Sequence, residues 1–461
     1  MVFAQFTQVE TEWDTLNWGY LARWETTLPG QPDGATVQYR IGGWRDGSSE
    51  FFADFPDAQS VAEQAAANYF HQRPLNSLDP VPTPTDGMIF AYHVDTITIP
   101  DWARNAVIYQ LLVDRFYPGD GKGWLQTDVL NRPMGGTLLG VRDKLGYMAD
   151  LGVTCIWLSP TWVAHSVHGY DVIDYMKTAD YLGGDDDLHT LIDAAHKRGL
   201  RVLLDLPCNH LSNEHPYFQE ALKDPNSPCR DWFTFNDSSI GYRTFFNVRM
   251  MPEVNLANPA ARQWMVEIGQ YWLREFDADG YRLDYANGPG PDFWTYFYTG
   301  CKTVKPDCFM FGEVVDAPEF QRSYIGRLDG CLDFYLEEQL RRTFGLKMQP
   351  TEDFERNIER HQVHFPPGFL MPSFIDNHDM NRFLHIAGGD KDALRAALRR
   401  QFQLPNPPIL YYGTEVGLSH ERGTRELGLE AGRVPMLWGD QQDRVLLADV
   451  TRMIHERQKN L

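Results

Sequence analysis

The chain reads as a (β/α)8 barrel of the TIM type, with an inserted lobe after its third strand and a small N-terminal β-sandwich ahead of it. Three observations lead there. From Ala106 onward, short apolar runs alternate with amphipathic helical patterns, the signature of βα units. Eight such runs can be counted, and eight parallel strands close a barrel. Before them, residues 1 to about 100 carry only short strand-like runs between Gly, Pro and Asp turns, with no long helical pattern.

In the N-terminal part the strand-like runs include Leu21-Ala22-Arg23-Trp24-Glu25, Thr36-Val37-Gln38-Tyr39-Arg40-Ile41 and Met88-Ile89-Phe90-Ala91-Tyr92-His93-Val94. Ile99-Pro100-Asp101-Trp102 reads as the connection, so the expected domains are 1–102 and 103–461. The apolar runs of the barrel are 107–116, 154–160, 201–206, 280–285, 308–314, 331–336, 369–375 and 409–412. Between them the spacing predicts helices over 137–151, 187–197, 259–276 and 391–402. The interval from Leu206 to Gly280 is too long for a βα connection and predicts a lobe over about 210–256. A doubly wound sheet is the competing arrangement, but no G-x-G-x-x-G follows the first strand.

Composition narrows the function classes. A formal charge of -21 without a Lys/Arg run argues against nucleic acid or an anionic membrane and for a neutral substrate. The six cysteines contain no C-x-x-C pair and read as buried free thiols. No transmembrane-length apolar run and no basic-then-apolar leader is present, so a cytoplasmic protein is expected, or a secreted one whose signal peptide was removed.

The chemistry gathers where strands end. In Gly280-Tyr281-Arg282-Leu283-Asp284-Tyr285, period two sets Tyr281, Leu283 and Tyr285 on one face and Arg282 with Asp284 on the other. An inward Arg beside an Asp must pair, which would keep the carboxylate ionised. Taken alone, the triplet reads better as an ordinary structural ion pair, since such triplets are common. In a barrel, however, it shares one rim with Asp205, Asn209 and His210 after the third strand, Glu313 ending the fifth, and His378 and Asp379 after the seventh. Four carboxylates, two imidazoles and a guanidinium at one rim are hard to explain as structure.

These blocks, in this order, resemble the alpha-amylase superfamily of retaining glycoside hydrolases. Asp205-Leu206-Pro207-Cys208-Asn209-His210, Gly280-Tyr281-Arg282-Leu283-Asp284, Phe311-Gly312-Glu313-Val314 and Phe374-Ile375-Asp376-Asn377-His378-Asp379 match its four signature blocks. Val107-Ile108-Tyr109-Gln110, His168-Gly169-Tyr170-Asp171 and Ile409-Leu410-Tyr411-Tyr412-Gly413 extend the match. The resemblance implies Asp284 as nucleophile, Glu313 as general acid and base, and Asp379 as the carboxylate that grips the distorted sugar. It implies Tyr170 as a stacking platform, His210 and His378 as hydroxyl binders, and Arg282 as the residue that keeps the nucleophile charged. Met251-Pro252-Glu253-Val254-Asn255 is similar to a block of the neopullulanase, cyclomaltodextrinase and maltogenic amylase group and of intermediate amylases.

The activity so implied is retaining hydrolysis of α-1,4-glucosidic bonds in maltooligosaccharides, starch, cyclodextrins or pullulan. A transglycosylase using the same intermediate, or a glucan-binding protein with a vestigial site, are the alternatives. No cofactor is needed for the chemistry. Relatives often hold a structural calcium, but the loop Pro118-Gly119-Asp120-Gly121-Lys122-Gly123 lacks their asparagines and Thr137 stands where they often carry Asp, leaving Asn209 as the candidate metal ligand. The resemblance also implies an α-glucan partner and a possible homodimer. The expected chain ends on the last barrel helix, without the usual C-terminal β-domain, as a fragment or a reduced form.

Overall fold

The computed structural model describes residues 3–14, 19–47, 49–53, 89–94, 99–127 and 129–460. The chain forms two compact units, Met1–Thr96 and Ile97–Leu461. In the first, the described residues make three antiparallel pairs: Thr7–Asp14 with Gly19–Glu25, Thr36–Tyr39 with Phe90–His93, and Gly42–Gly43 with Phe51–Phe52. Each expected run overlaps one of these strands, with Arg40, Ile41, Ile89 and Val94 outside them and Met88 outside the described residues.

The second unit is a barrel. Its strands Ile108–Leu111, Cys155–Leu158, Arg201–Pro207, Gly280–Asp284, Phe309–Gly312, Gly330–Cys331 and Ile409–Tyr411 are hydrogen-bonded in parallel. Two expected staves differ. The sixth is only Gly330–Cys331, because Asp333 caps the helix Phe334–Leu340 by accepting from the Leu336 N–H, and the run 331–336 is mostly helix. The seventh, 369–375, is not a regular strand. Pro372, Pro407 and Pro408 lack the N–H groups a ladder needs. It still closes the ring through single bridges, Gly330 with Leu370 and Ser373 with Pro408, and through the bonds Cys331 N–H to Leu370 O at 3.1 Å and Ile409 N–H to Ser373 O at 2.6 Å.

Period two divides the strand residues into two cores. Tyr109, Ile156, Leu204, Tyr281 and Met310 point outward and pack with the helices, and the Tyr281 hydroxyl donates to Gly269 O at 2.6 Å. Ile108, Cys155, Trp157, Leu203, Phe309 and Phe311 point inward and form a second cluster. Ile99 and Ala103 join that inner cluster, so the expected connection around 99–102 is a plug of the barrel rather than a linker. Further along the same strands the inward positions turn polar, at Gln110, Asp205, Arg282 and Asp284, all buried.

The expected helices are present as Gly184–His196, Pro259–Glu275 and Lys391–Gln403, whereas 137–151 breaks at Lys144 into Leu138–Asp143 and Leu145–Leu151. Between Pro207 and Pro259 the inserted lobe holds one helix, Pro216–Lys223, two 3-10 turns and isolated bridges, including His210 with Glu253. All six cysteines are buried and free. Among the described residues no helix is long and apolar enough to cross a membrane.

Gly280 begins the strand that carries Arg282 and Asp284. Its φ is +138°, and a Cβ there would lie 1.9 Å from Phe309 O on the neighbouring strand. Gly280→Ala is therefore expected to destabilise the barrel by at least about 2 kcal/mol, read as a lower urea midpoint. An unchanged midpoint would contradict the close approach of the two strands.

Candidate active site

Register alone brings Asp205 beside Arg282, and Arg282 beside Phe311, two residues before Glu313. The Arg282 guanidinium, fully buried, is the hub. Its Nη1 donates to Asp205 Oδ1 and to Asp284 Oδ1, each at 2.7 Å, and its Nη2 stands 2.8 Å from Glu313 Oε2. The Trp157 ring lies 5.3 Å from the guanidinium carbon and its indole N–H donates to Asp205 Oδ2 at 3.0 Å. After Asp284 the chain turns sharply. Tyr285 has φ +39°, a left-handed conformation that aims its N–H at Glu313 Oε2, 3.0 Å away.

A second group adjoins the first. The Tyr170 hydroxyl donates to Asp205 Oδ2 at 2.9 Å and meets His378 Nε2 at 2.6 Å, and the two rings stack 5.4 Å apart, 9° from parallel. Gln110 Nε2 reaches His378 Nδ1 at 2.7 Å, which leaves the ring proton on Nε2, between Tyr170 and Asp379 Oδ2 at 3.0 Å. The opposite oxygen of Asp379 accepts from Arg433 Nη2 at 2.8 Å.

Seven of the expected site residues thus lie close together. Tyr170, Asp205, Arg282, Asp284, Glu313, His378 and Asp379 form one connected network of bonds and ion pairs. His210 stands beside it without a bond to it. It is buried, its ring stacks on Phe245 at 4.4 Å, and neither ring nitrogen has a hydrogen-bond partner among the described residues. Asn209 is also buried, with its Nδ2 unpaired and its Oδ1 packed on Gly288. Among the described residues no group of three or more His, Cys, Asp or Glu side chains could hold a metal ion.

The electrostatics differ from the expectation in one respect. Arg282 was expected to hold Asp284 ionised, yet the Asp284 carboxyl is pushed up to about 7. Burial is the largest cause, Arg282 opposes it, and Asp205 and Asp379 add to it. Glu313 is also pushed up to about 7, again by burial first, and Asp205 to about 6. One guanidinium does not neutralise three buried carboxylates, so a proton enters the cluster near neutrality. Asp379 goes the other way: burial raises it, but His378, Arg433 and Arg282 together outweigh burial and lower it. Burial pushes His378 and His210 down to about 3, so both rings are neutral.

Two contributors escaped the sequence reading of the site. Gln110 lay in a matched block but carried no assigned role, and Arg433 lay in no block at all. Nothing in the spacing around Arg433 marks it, because it arrives from the segment after the eighth stave.

Comparison with known proteins places this network. Residues 110–445 match the model of the alpha amylase catalytic domain. The chain belongs to the alpha-amylase family. It is 39% identical to alpha-amylase 2 of Dictyoglomus thermophilum over 80% of this chain, and 32% identical to the intracellular maltogenic amylase of Bacillus subtilis over 80%. It spans 65% and 64% of the length of those two relatives. The solved cyclic alpha-maltosyl-(1→6)-maltose hydrolase of Arthrobacter globiformis superimposes with a TM-score of 0.72 at 26% identity, covering 78% of this chain and 84% of that one. The matched region contains every residue of the network, Gln110 and Arg433 included.

The raised carboxyls give a pH signature. An unfolded Asp titrates near 4, the folded Asp284 at about 7, so between these values the folded state binds more protons and loses stability as pH rises. Asp284→Asn removes that penalty. The variant is expected to gain on the order of 2 kcal/mol relative to the parent between pH 5 and pH 8, measured by urea unfolding at each pH. A pH-independent difference would sink the raised value.

Proposed function

We propose that the protein is a retaining α-glucan hydrolase that cleaves α-1,4-glucosidic bonds of maltooligosaccharides, starch, cyclodextrins or pullulan. The observation that carries this reading is the placement of Asp284 and Glu313 on the two ends of one guanidinium. Carboxyls held by one arginine stand close. Retaining pairs stand about 5 to 5.5 Å apart, and inverting pairs, about 6.5 to 9.5 Å apart, leave room for a water.

In this mechanism Asp284 attacks the anomeric carbon while Glu313 protonates the leaving oxygen. The glycosyl ester on Asp284 is then opened by water that Glu313 deprotonates. One proton shared near neutrality suits the pair, because the nucleophile must be bare while the acid carries it. The Tyr285 N–H steadies the Glu313 carboxylate once its proton has left. Asp379, kept anionic, faces positive charge at the anomeric centre. Tyr170 offers its ring to the sugar, and His210 and His378 bind its hydroxyls. The names of the two relatives support an α-glucan substrate, and the word intracellular in one supports a cytoplasmic location. Transfer to a sugar acceptor shares every step up to the glycosyl ester.

Incubation with maltoheptaose, β-cyclodextrin and pullulan, followed by chromatography of products, tests the proposal. Shorter oligosaccharides are expected; products longer than the substrate would indicate transfer, and no turnover by the folded protein would leave only glucan binding. Glu313→Gln is expected to lower kcat by about 10²- to 10⁴-fold on substrates with poor leaving groups. Asp284→Asn should lower it at least as much, and near-parental turnover in that variant would refute the nucleophile. The parent's kcat/KM should form a bell with both limbs near neutrality.

A further inference from the structure

Asp379 is the carboxylate of the network that no ion pair joins to Arg282, whose three go to Asp205, Asp284 and Glu313. The His378 Nε2 proton, on the residue before it, faces its Oδ2 at 3.0 Å, but that ring is neutral. Its charged partner comes from elsewhere, the segment after the short helical turns that follow Ile409–Tyr411. Arg433 is buried, and every N–H-bearing nitrogen of its side chain is bonded: Nη2 to Asp379 Oδ1 at 2.8 Å, Nε to His378 O at 2.7 Å, and Nη1 to Glu430 Oε1 at 2.7 Å. The guanidinium therefore grips both the side chain of Asp379 and the backbone of the residue before it.

The backbone around Arg433 is held just as firmly. Arg115 Nε donates to Arg433 O at 3.0 Å, Arg382 Nε to Gly432 O at 2.9 Å, and the Tyr412 hydroxyl to Val434 O at 2.7 Å. The Met436 N–H donates to Arg115 O at 2.8 Å. Arg115 itself is buried and paired with Asp114, so the ends of the first and eighth staves clamp the segment. A surface loop that merely covered the barrel would not need three separate side chains to fix three consecutive carbonyls.

We infer that Arg433 is a positioning residue for the reaction proposed above, holding Asp379 as an aimed anion at the glucosyl site; the inference rests on that reading. The charge count shows why a second cation is needed. Arg282 already faces Asp205, Asp284 and Glu313, and without Arg433 it would face Asp379 as a fourth carboxylate. A proton would then settle on Asp379 and remove the charge that stabilises an oxocarbenium-like centre. The second grip, on His378 O, fixes the stretch His378-Asp379, and with it the ring that stacks on Tyr170. Neutral replacement of Arg433 should therefore weaken the transition state more than substrate binding.

The test is a double-mutant cycle of Arg433→Gln and Asp379→Asn, with Arg433→Lys as the conservative variant. Turnover is read with an aryl maltooligoside whose good leaving group keeps slow variants measurable, and thermal unfolding checks each fold. In Arg433→Gln, kcat is expected to fall by about 10²-fold with KM nearly unchanged, and Lys to recover at least about tenfold of that loss. In the Asp379→Asn background the same Gln replacement should cost less than about threefold, because the group it positions is already gone. Losses that multiply, or a Gln variant with near-parental kcat, would overturn the inference while leaving the hydrolase reading intact. If Arg433→Gln fails to fold, the cycle is run with Arg433→Lys, and a multiplying loss there overturns it equally. A folded parent without turnover removes the hydrolase reading and the role of Arg433 with it.

Discussion

Burying a guanidinium inside a barrel is tolerable only when its charge is met, and at Arg282 this condition organises the surrounding residues. Its partners are Asp205 on one neighbouring strand, Asp284 on its own and Glu313 beyond the other. Three carboxylates on one cation are in turn over-compensated. Burial first, and the excess negative charge after it, lift Asp284 and Glu313 to about 7 and bring a titrating proton into the neutral range. Stability and chemistry are thus coupled through one excess charge, and the site is destabilised in the ionisation state that gives a bare nucleophile.

The scaffold makes this possible by separating two environments along the same strands. The inward positions near the N-terminal ends are Ile108, Cys155, Leu203 and Phe309, a dry plug completed by Ile99 and Ala103. The inward positions near the C-terminal ends are the charged groups. The plug keeps water from below, so the fields of Arg282 and Arg433 act with little screening. The inserted lobe closes the side, where Phe245 stacks on His210 and packs 4.9 Å from Tyr285. Tyr285 and Phe246 hold left-handed backbones at this contact, at φ +39° and +44°. Such strain is sustained where the packing around it leaves no alternative, and here it aims the Tyr285 N–H at Glu313.

Much of the fold was legible in the chain, and the misses have identifiable causes. Long parallel strands buried on both faces announce themselves as apolar runs, which is why 201–206 and 280–285 were placed within a residue or two of Arg201–Pro207 and Gly280–Asp284. The run 331–336 is just as apolar, but its periodicity does not distinguish a strand from a buried helix, and the Asp333 cap decided for the helix. At 369–375 the run was apolar and the position right, yet prolines on it and on its neighbour removed the donors of a ladder. The site followed the same division. Tyr170, Asp205, Arg282, Asp284, Glu313, His378 and Asp379 were all nameable from strand ends and block order.

By itself the sequence determined which side chains would share a rim, because the period of a strand and the order of a βα repeat leave little freedom about where a strand-end residue goes. Only the tertiary structure decided their charge states. Asp284 beside Arg282 looked like an ion pair that lowers a pKa, and it became a carboxyl raised to about 7 once Asp205, Asp379 and the loss of water were counted. It also decided the partner of Asp379, since Arg433 lies 54 residues away and meets it across the ring. Pairwise neighbours can be read along a chain, whereas desolvation and long-range charge are sums over everything the fold brings near.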